Sequence, residues 1–314
     1  MNSNYLIVCC LGIASFLMAC NPMPMETISD LETSFEGINK IRVNGGALEL
    51  SYTGGEDTDK VYLSAYISSS DPDLEGVVFN RSGDELIVDF DPDIDFSFFF
   101  GNRVKGFISL TGPSEMALEM NSSSGKMEVS NVKHDFITLR GSSGKIEAKN
   151  LDSPNLMVKI SSGKADLENI RGDLNLVLSS GMGAVQGMDG NVTFNGSSGL
   201  VKISDVNGLV SGEMSSGKAE IARVQKLGEV SVSSGMLSAE NCGLGRETQL
   251  SASSGYMKIE ADGDLNQYNF DFKVGSGRLS IGDRSSSEDL YIDRGAEITI
   301  KGKLQSGRLN IQGS

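Results

Sequence analysis

The sequence predicts an all-β protein built as a single-stranded parallel β-helix, a β-solenoid of about 18–20 residues per coil, and three observations carry that prediction. Ser-Ser-Gly recurs with its glycine at Gly125, Gly144, Gly163, Gly181, Gly199, Gly217, Gly235 and Gly255, followed by the variants GSGR at Gly277 and QSGR at Gly307. The steps between these glycines are 19, 19, 18, 18, 18, 18, 20, 22 and 30 residues, too short for a helical pair and suited to one turn of a solenoid. On both sides of each glycine, apolar residues alternate with polar ones, the period of a half-buried strand.

In chain order, residues 1–19 carry no charged side chain, and Tyr5 to Ala19 is dominated by apolar residues. This is a secretory signal, short for a spanning helix. It ends Leu17-Met18-Ala19-Cys20, which resembles the lipobox of bacterial lipoproteins and implies that Cys20 is acylated and becomes the first mature residue. Several acyl chains would anchor the protein to the lipid bilayer, each buried methylene contributing about 0.8 kcal/mol. Asn21 follows, with no Asp of the inner-membrane retention kind, so the expected address is the outer membrane, facing the periplasm or the cell surface. Residues 20–34 read as a tether. Cys9 and Cys10 leave with the signal, so Cys242 stands alone and no disulfide is expected.

Residues 35–314 read as one β-helix domain, with amino-terminal coils over 35–113 and the Ser-Ser-Gly coils over 114–314. The first part alternates at Ile41/Val43, Leu48/Leu50, Val61/Leu63/Ala65 and Leu86/Val88/Phe90, enough for three or four coils. In the second part Leu118, Ile137, Leu156, Leu174, Val192 and Val210 stand seven residues before a corner glycine, and Val129, Leu167, Val185, Ile203, Ile221 and Ile259 stand four after one. Lys126, Lys145, Lys164 and Lys218 follow the glycine directly, and Glu128, Glu147, Asp166 and Glu220 stand two further on, pointing outward.

The corner glycines are expected to supply a positive φ. By continued parity, Ser124, Ser143, Ser162, Ser180, Ser198, Ser216, Ser234 and Ser254 are expected to form an internal hydroxyl ladder. Asn131, Asn150, Asn169, Asp205 and Asn241, six after the glycine, form a second column at a left-handed bend, which Asn tolerates. Cys242 falls in a core column. A right-handed path is expected from crossover preference, as is a rod of roughly 45 Å for ten coils. The last coil, LQSGRLNIQGS, has little after it to cover its edge.

The formal net charge is −15, which excludes ordinary nucleic-acid binding, because a phosphate-facing surface needs basic excess. One His, no Trp and four Cys leave little material for a zinc cluster, a haem pocket or a His-centred triad. No catalytic residues, metal or cofactor are assigned, and the ligand-binding residues are unknown. The Ser-x-x-Lys spacing at Ser123/Lys126, Ser142/Lys145, Ser161/Lys164 and Ser215/Lys218 matches that of penicillin-binding proteins, yet four copies in one chain mark a structural corner. Asp89, Asp91, Asp93 and Asp95 alternate on one strand face, but Phe96 and Asn102 stand where an EF-hand needs Gly and Glu. Phe96, Phe98, Phe99 and Phe100 break strict alternation and suit a core strand or an end cap, with a contact patch as the alternative.

Several segments resemble a known family: FEGINKIRVNGGALELSY, GDELIVDF, GFISLTGPSEMALEMNSSSGKMEV and the reiterated SSGK. They are similar to the "putative adhesin" family of bacterial lipoproteins, also described as the auto-transporter adhesin head or GIN domain. The resemblance implies a β-helix of stacked short strands on an exported lipoprotein. The expected function is a non-enzymatic adhesion or binding module at the cell envelope, taking a glycan, an envelope polymer or a protein partner. The alternative is a structural protein that self-associates through its solenoid ends. A third reading, a polysaccharide-processing enzyme, would draw on the column Glu128, Glu147 and Asp166.

Overall fold

The structure, a computed structural model, describes residues 24–90 and 103–314. The signal segment, Cys20, Asp91, Asp93, Asp95 and Phe96 to Phe100 lie outside the described residues. Apart from the short 3-10 turn Leu265–Gln267, the described elements are all strands. Each repeat contributes one strand entering a Ser-Ser-Gly corner and one leaving it. Ala117–Ser122, Phe136–Gly141, Asn155–Ile160 and Leu174–Leu178 stack in parallel as a first sheet. Lys126–Lys133, Lys145–Asp152, Lys164–Arg171 and Met182–Asp189 stack as a second. The register joins equivalent repeat positions, so Leu118, Ile137, Leu156 and Leu174 form one inward column.

That column is 0–3% exposed. It packs against Met127, Ile146, Val129 and Leu167 of the second sheet in one continuous core. Each such side chain contributes about 1.5–3 kcal/mol by leaving water, and a coil buries its faces only against its neighbours. Cys242 takes its place in this core beside Val224, where burial pushes its thiol up to about 11.

The Asn column sits as the sequence predicts. Asn131, Asn150, Asn169, Asp205 and Asn241 have φ between 53° and 60°, and Gly187 and Arg223 fill the same slot at 72° and 52°. Asn150 Nδ2 donates to Asn131 Oδ1 at 2.9 Å, and Arg223 clasps Asp205 at 2.7 and 2.9 Å.

The corner itself differs from expectation in two ways. Gly125, Gly144, Gly163, Gly181, Gly199, Gly217, Gly235 and Gly255 all lie outside the positive-φ region. Their glycine is demanded by close approach: a Cβ on any of them would run into a backbone carbonyl of the adjoining coil, as at Gly163 against Gly144 O. The predicted internal ladder is also reversed. Ser124, Ser143, Ser162, Ser180, Ser198, Ser216, Ser234 and Ser254 are exposed, because the bend interrupts strand parity and turns two consecutive serines outward. The backbone ladder continues over the bend, with Ser143 N donating to Ser123 O and Ser162 N to Ser142 O, both at 2.7 Å.

The ends are where the chain departs furthest from simple winding. Lys40–Asn44 and Glu49–Gly55 form a coil that lies inside the coil formed by Glu85–Asp89 and Val104–Pro113. Val78–Ser82 and Lys60–Ser69 then cover that outer coil in antiparallel fashion. Glu26–Glu36 pairs antiparallel with Lys60–Ser69. The tether over 20–34 is thereby corrected, since most of it is the edge strand, and 35–113 supplies two coils and a cap. Glu26, Asp30, Glu32 and Glu36 are exposed along that edge, which also carries a register shift at Thr27/Ser29; charge and irregularity both discourage further pairing.

The carboxyl-terminal end follows the same plan. Ile298–Leu304 and Arg308–Gly313, the last coil in sequence, insert between the coil at Gly255 and the coil at Gly277. The short strands Leu290–Ile292 and Arg284–Ser286 close the outer coil as antiparallel partners. The expectation of an uncovered final coil is therefore corrected: LQSGRLNIQGS has a coil on either side.

Candidate functional site

The outward side of the second sheet is the most differentiated surface. Val61, Leu63, Ala65 and Ile67 face the core of their strand, which sends Tyr62, Ser64 and Tyr66 outward. Across the antiparallel pairing, Tyr66 meets Phe107, Ser64 meets Ser109 and Tyr62 meets Thr111. The next strand adds Ser51 beside Ser109 and Thr53 beside Thr111. Tyr62 is 50% exposed and Phe107 39%. The Tyr66 and Phe107 rings stack with centroids 6.3 Å apart at 29°, Tyr66 Oη lies 3.2 Å from Thr27 Oγ1, and Ser51 Oγ donates to Ser109 Oγ at 2.9 Å.

The result is a flat aromatic platform set among hydroxyls. Asp30, Glu32, Glu49 and Glu128 border it by register. An open groove of about 870 Å³ starts at Ser51 and Thr53 and runs along the sheet past Ser130 and Lys149 to Gln186. Aromatic faces on a rigid sheet take apolar ring surfaces of a ligand, and hydroxyls and carboxylates take its polar edge. The signal for this platform was present in the alternation of VYLSAYIS, whose outward positions are aromatic where most strands carry charge.

Beyond the platform the columns of Lys and carboxylate interlock. Lys126 Nζ lies 2.5 Å from Glu128 and 2.8 Å from Glu147; Lys145 bridges Glu147 and Asp166, and Lys164 reaches Asp166 at 2.7 Å. Hydrogen bonds from Lys126 and then Lys145 hold the Glu147 carboxyl down to about 2. Glu128 and then Glu147 push the Lys126 ammonium up, the opposite of what a Ser-x-x-Lys base requires. Glu147 titrates below its ordinary 4.5, so its contribution to stability is complete above that pH and is lost as pH falls toward 2. Melting temperature should fall modestly over that window, the pair being solvent-exposed. Glu147→Gln should remove the Glu147 part of the fall, and high salt should weaken it; an unchanged pH profile in the variant would show that the ladder is energetically idle.

Asp89 accepts from Asn44 Nδ2 at 2.6 Å at the rim of the first sheet. Among the described residues no three His, Cys, Asp or Glu side chains gather as metal ligands would.

A parallel two-sheet solenoid with covered ends and a patterned outer face defines the class of this protein. The sequence matches the Toastrack DUF4097 family over residues 93–207 and again over 182–312, and the chain belongs to that family. The fold is also that of a protein from Parabacteroides merdae described as a "putative adhesin", with TM-score 0.53 and 13% identity over 92% of this chain and 96% of that one. A protein from Parabacteroides distasonis described as a "putative lipid binding protein" gives TM-score 0.52 and 18% identity over 91% and 96%. No curated protein sequence matches the chain.

Proposed function

We propose that the protein is an outer-membrane lipoprotein, acylated at Cys20, that serves as a non-enzymatic adhesion module of the cell envelope by binding an uncharged glycan. The outward Tyr66–Phe107 stack, half-buried at Tyr66 and exposed at Phe107, with exposed Tyr62 on the same face and a hydroxyl row between them, carries this reading. Sugar rings present apolar faces that stack on aromatics, and their hydroxyls find partners in Ser51, Ser64, Ser109 and the bordering carboxylates. Those carboxylates repel polyanions from this end, where residues 20–113 hold 17 acidic and 6 basic side chains. The adhesin-described relative of the same fold agrees with this use.

The other readings have less support. The interior between the sheets is occupied by buried side chains, so a bound lipid of the kind named for the Parabacteroides distasonis protein would need an outer surface. A glycosidase acid needs a raised pKa, whereas Glu147 is lowered. Self-association through the ends loses its motive once both ends are covered.

Binding of uncharged oligosaccharides to the full-length protein in detergent tests the proposal. Tyr66→Ala with Phe107→Ala should weaken binding about tenfold or more, given stacking energies near 1 kcal/mol per ring and the lost contact area. Failure of the native protein to retain any uncharged glycan would sink the reading. Cys20→Ser should abolish labelling by a fatty-acid analogue, and protease treatment of intact cells reports whether the rod faces outward.

A further inference from the structure

The coils at Gly277 and Gly307 break a rule that other basic coils keep. After Gly125, Gly144, Gly163 and Gly217, a Lys is followed two residues later by a carboxylate that neutralises it, as in Lys218–Glu220 at 2.5 Å. The two outermost coils instead read Arg278-Leu279-Ser280 and Arg308-Leu309-Asn310. The carboxylate is missing from both. Arg278 and Arg308 are direct register partners on adjacent parallel strands, and both are exposed. Among the described residues neither guanidinium forms an ion pair or side-chain hydrogen bond. Like charges placed side by side on a sheet are destabilising, and among the described residues no carboxylate pairs with either arginine.

The two arginines line an open groove of about 820 Å³ that follows successive corners. Its other wall is the outward serine column, ending at Ser254, Ser306 and Ser276, and Ser287 of the cap closes its outer end. The corner amides are already committed to the coil ladder, with Ser306 N donating to Ser253 O at 2.7 Å and Ser276 N to Gln305 O at 2.6 Å. Ser254, Ser306 and Ser276 are exposed and line the groove, which leaves their hydroxyls as its available hydrogen-bonding groups, on coils about 4.8 Å apart.

We propose that this groove binds an anionic oligosaccharide, with a sulfate or phosphate ester held between Arg278 and Arg308 and sugar hydroxyls held by Ser254, Ser306 and Ser276. Paired guanidinium forks match a tetrahedral oxyanion in charge and geometry. A saccharide fits better than a lipid headgroup, because the groove is lengthwise and polar. It also lies roughly 60 Å along the stack from the amino-terminal edge strand, away from the proposed anchor. The site is separate from the aromatic platform and does not depend on it.

Calorimetric titration of the full-length protein with a sulfated tetrasaccharide, a phosphorylated oligosaccharide, their uncharged counterparts and vesicles containing phosphatidic acid tests the proposal. One or both charged saccharides should bind, the tighter naming the ester, with affinity falling as salt rises. Arg278→Gln with Arg308→Gln should weaken binding about tenfold or more, while Tyr66→Ala with Phe107→Ala leaves it unchanged. Ser280→Glu with Asn310→Glu restores the pattern of the other coils and should cost the same affinity without lowering the melting temperature, which separates ligand loss from misfolding. The proposal is overturned if neither charged saccharide binds, if the uncharged forms bind equally to the protein carrying Tyr66→Ala and Phe107→Ala, if only the vesicles bind, or if the arginine variant binds as tightly as the native protein.

Discussion

Gly163→Val should destabilise the protein by about 4 kcal/mol or more, at the severe end of single substitutions. The added Cβ points into the Gly144 carbonyl oxygen, with the Ser143 carbonyl carbon also within 2.8 Å. Both obstacles are backbone, so no rotamer change relieves them. The coils must separate, which loosens the bonds from Lys164 N to Gly144 O at 3.0 Å and from Ser162 N to Ser142 O at 2.7 Å. Separation also opens the dry columns on either side to water. Because each coil is held only by its neighbours, the damage is concentrated mid-stack, and denaturant unfolding should broaden or split into two transitions.

The residue series separates the two explanations for this glycine. A position that needed positive φ would accept Asn at little cost, whereas a position closed by a carbonyl rejects any Cβ. Gly163→Ala and Gly163→Asn should therefore be nearly as damaging as Gly163→Val. The comparison is Gly263, whose φ is +90° with nothing within 4 Å of a built Cβ; alanine there should cost only about 1 kcal/mol. Urea midpoints that rank Gly163→Asn with the native protein would refute the close-approach account.

Asn150→Val should cost about 3 kcal/mol, the second large effect. Asn150 holds φ at 55°, a region in which a β-branched residue loses roughly 1–2 kcal/mol. Its amide also donates to Asn131 Oδ1 at 2.9 Å and accepts from Asn169 Nδ2 at 3.4 Å, so valine removes both rungs. Asn150→Gly keeps the backbone and loses only the rungs. It should therefore fall midway, as the natural Gly187 at φ 72° in the same column suggests. Equal losses for Val and Gly in thermal melts would show that the hydrogen-bonded column, and not the backbone geometry, sets the cost.

Much of the solenoid is legible in the chain because its regularities are local. Strand parity places Leu118, Ile137, Leu156 and Leu174 inward whatever their neighbours do, and a bend filled repeatedly by Asn declares a left-handed backbone. The 18- to 20-residue period then stacks like on like, and Cys242 follows its column into the core. The platform was half visible in the same way: once Val61, Leu63 and Ala65 face inward, Tyr62, Ser64 and Tyr66 must face out. Their meeting with Phe107 depends on a strand more than forty residues away in sequence, joined by an antiparallel pairing that alternation cannot distinguish from a parallel one.

Repeat length, strand alternation, the Asn column and the composition of each face were therefore determined by the sequence alone, since each depends only on neighbours along the chain. The tertiary structure decided what depends on distance between coils. It showed that Gly163 answers to the Gly144 carbonyl and not to its own φ, and that the serines beside the corners face water. It placed the final coil inside the coil at Gly277, with antiparallel strands closing both ends. Arg278 and Arg308, thirty residues apart, became neighbours for the same reason. Coil-to-coil approach and strand order are set by packing and hydrogen bonding across the stack, and these choose among windings that a single strand's pattern leaves equivalent.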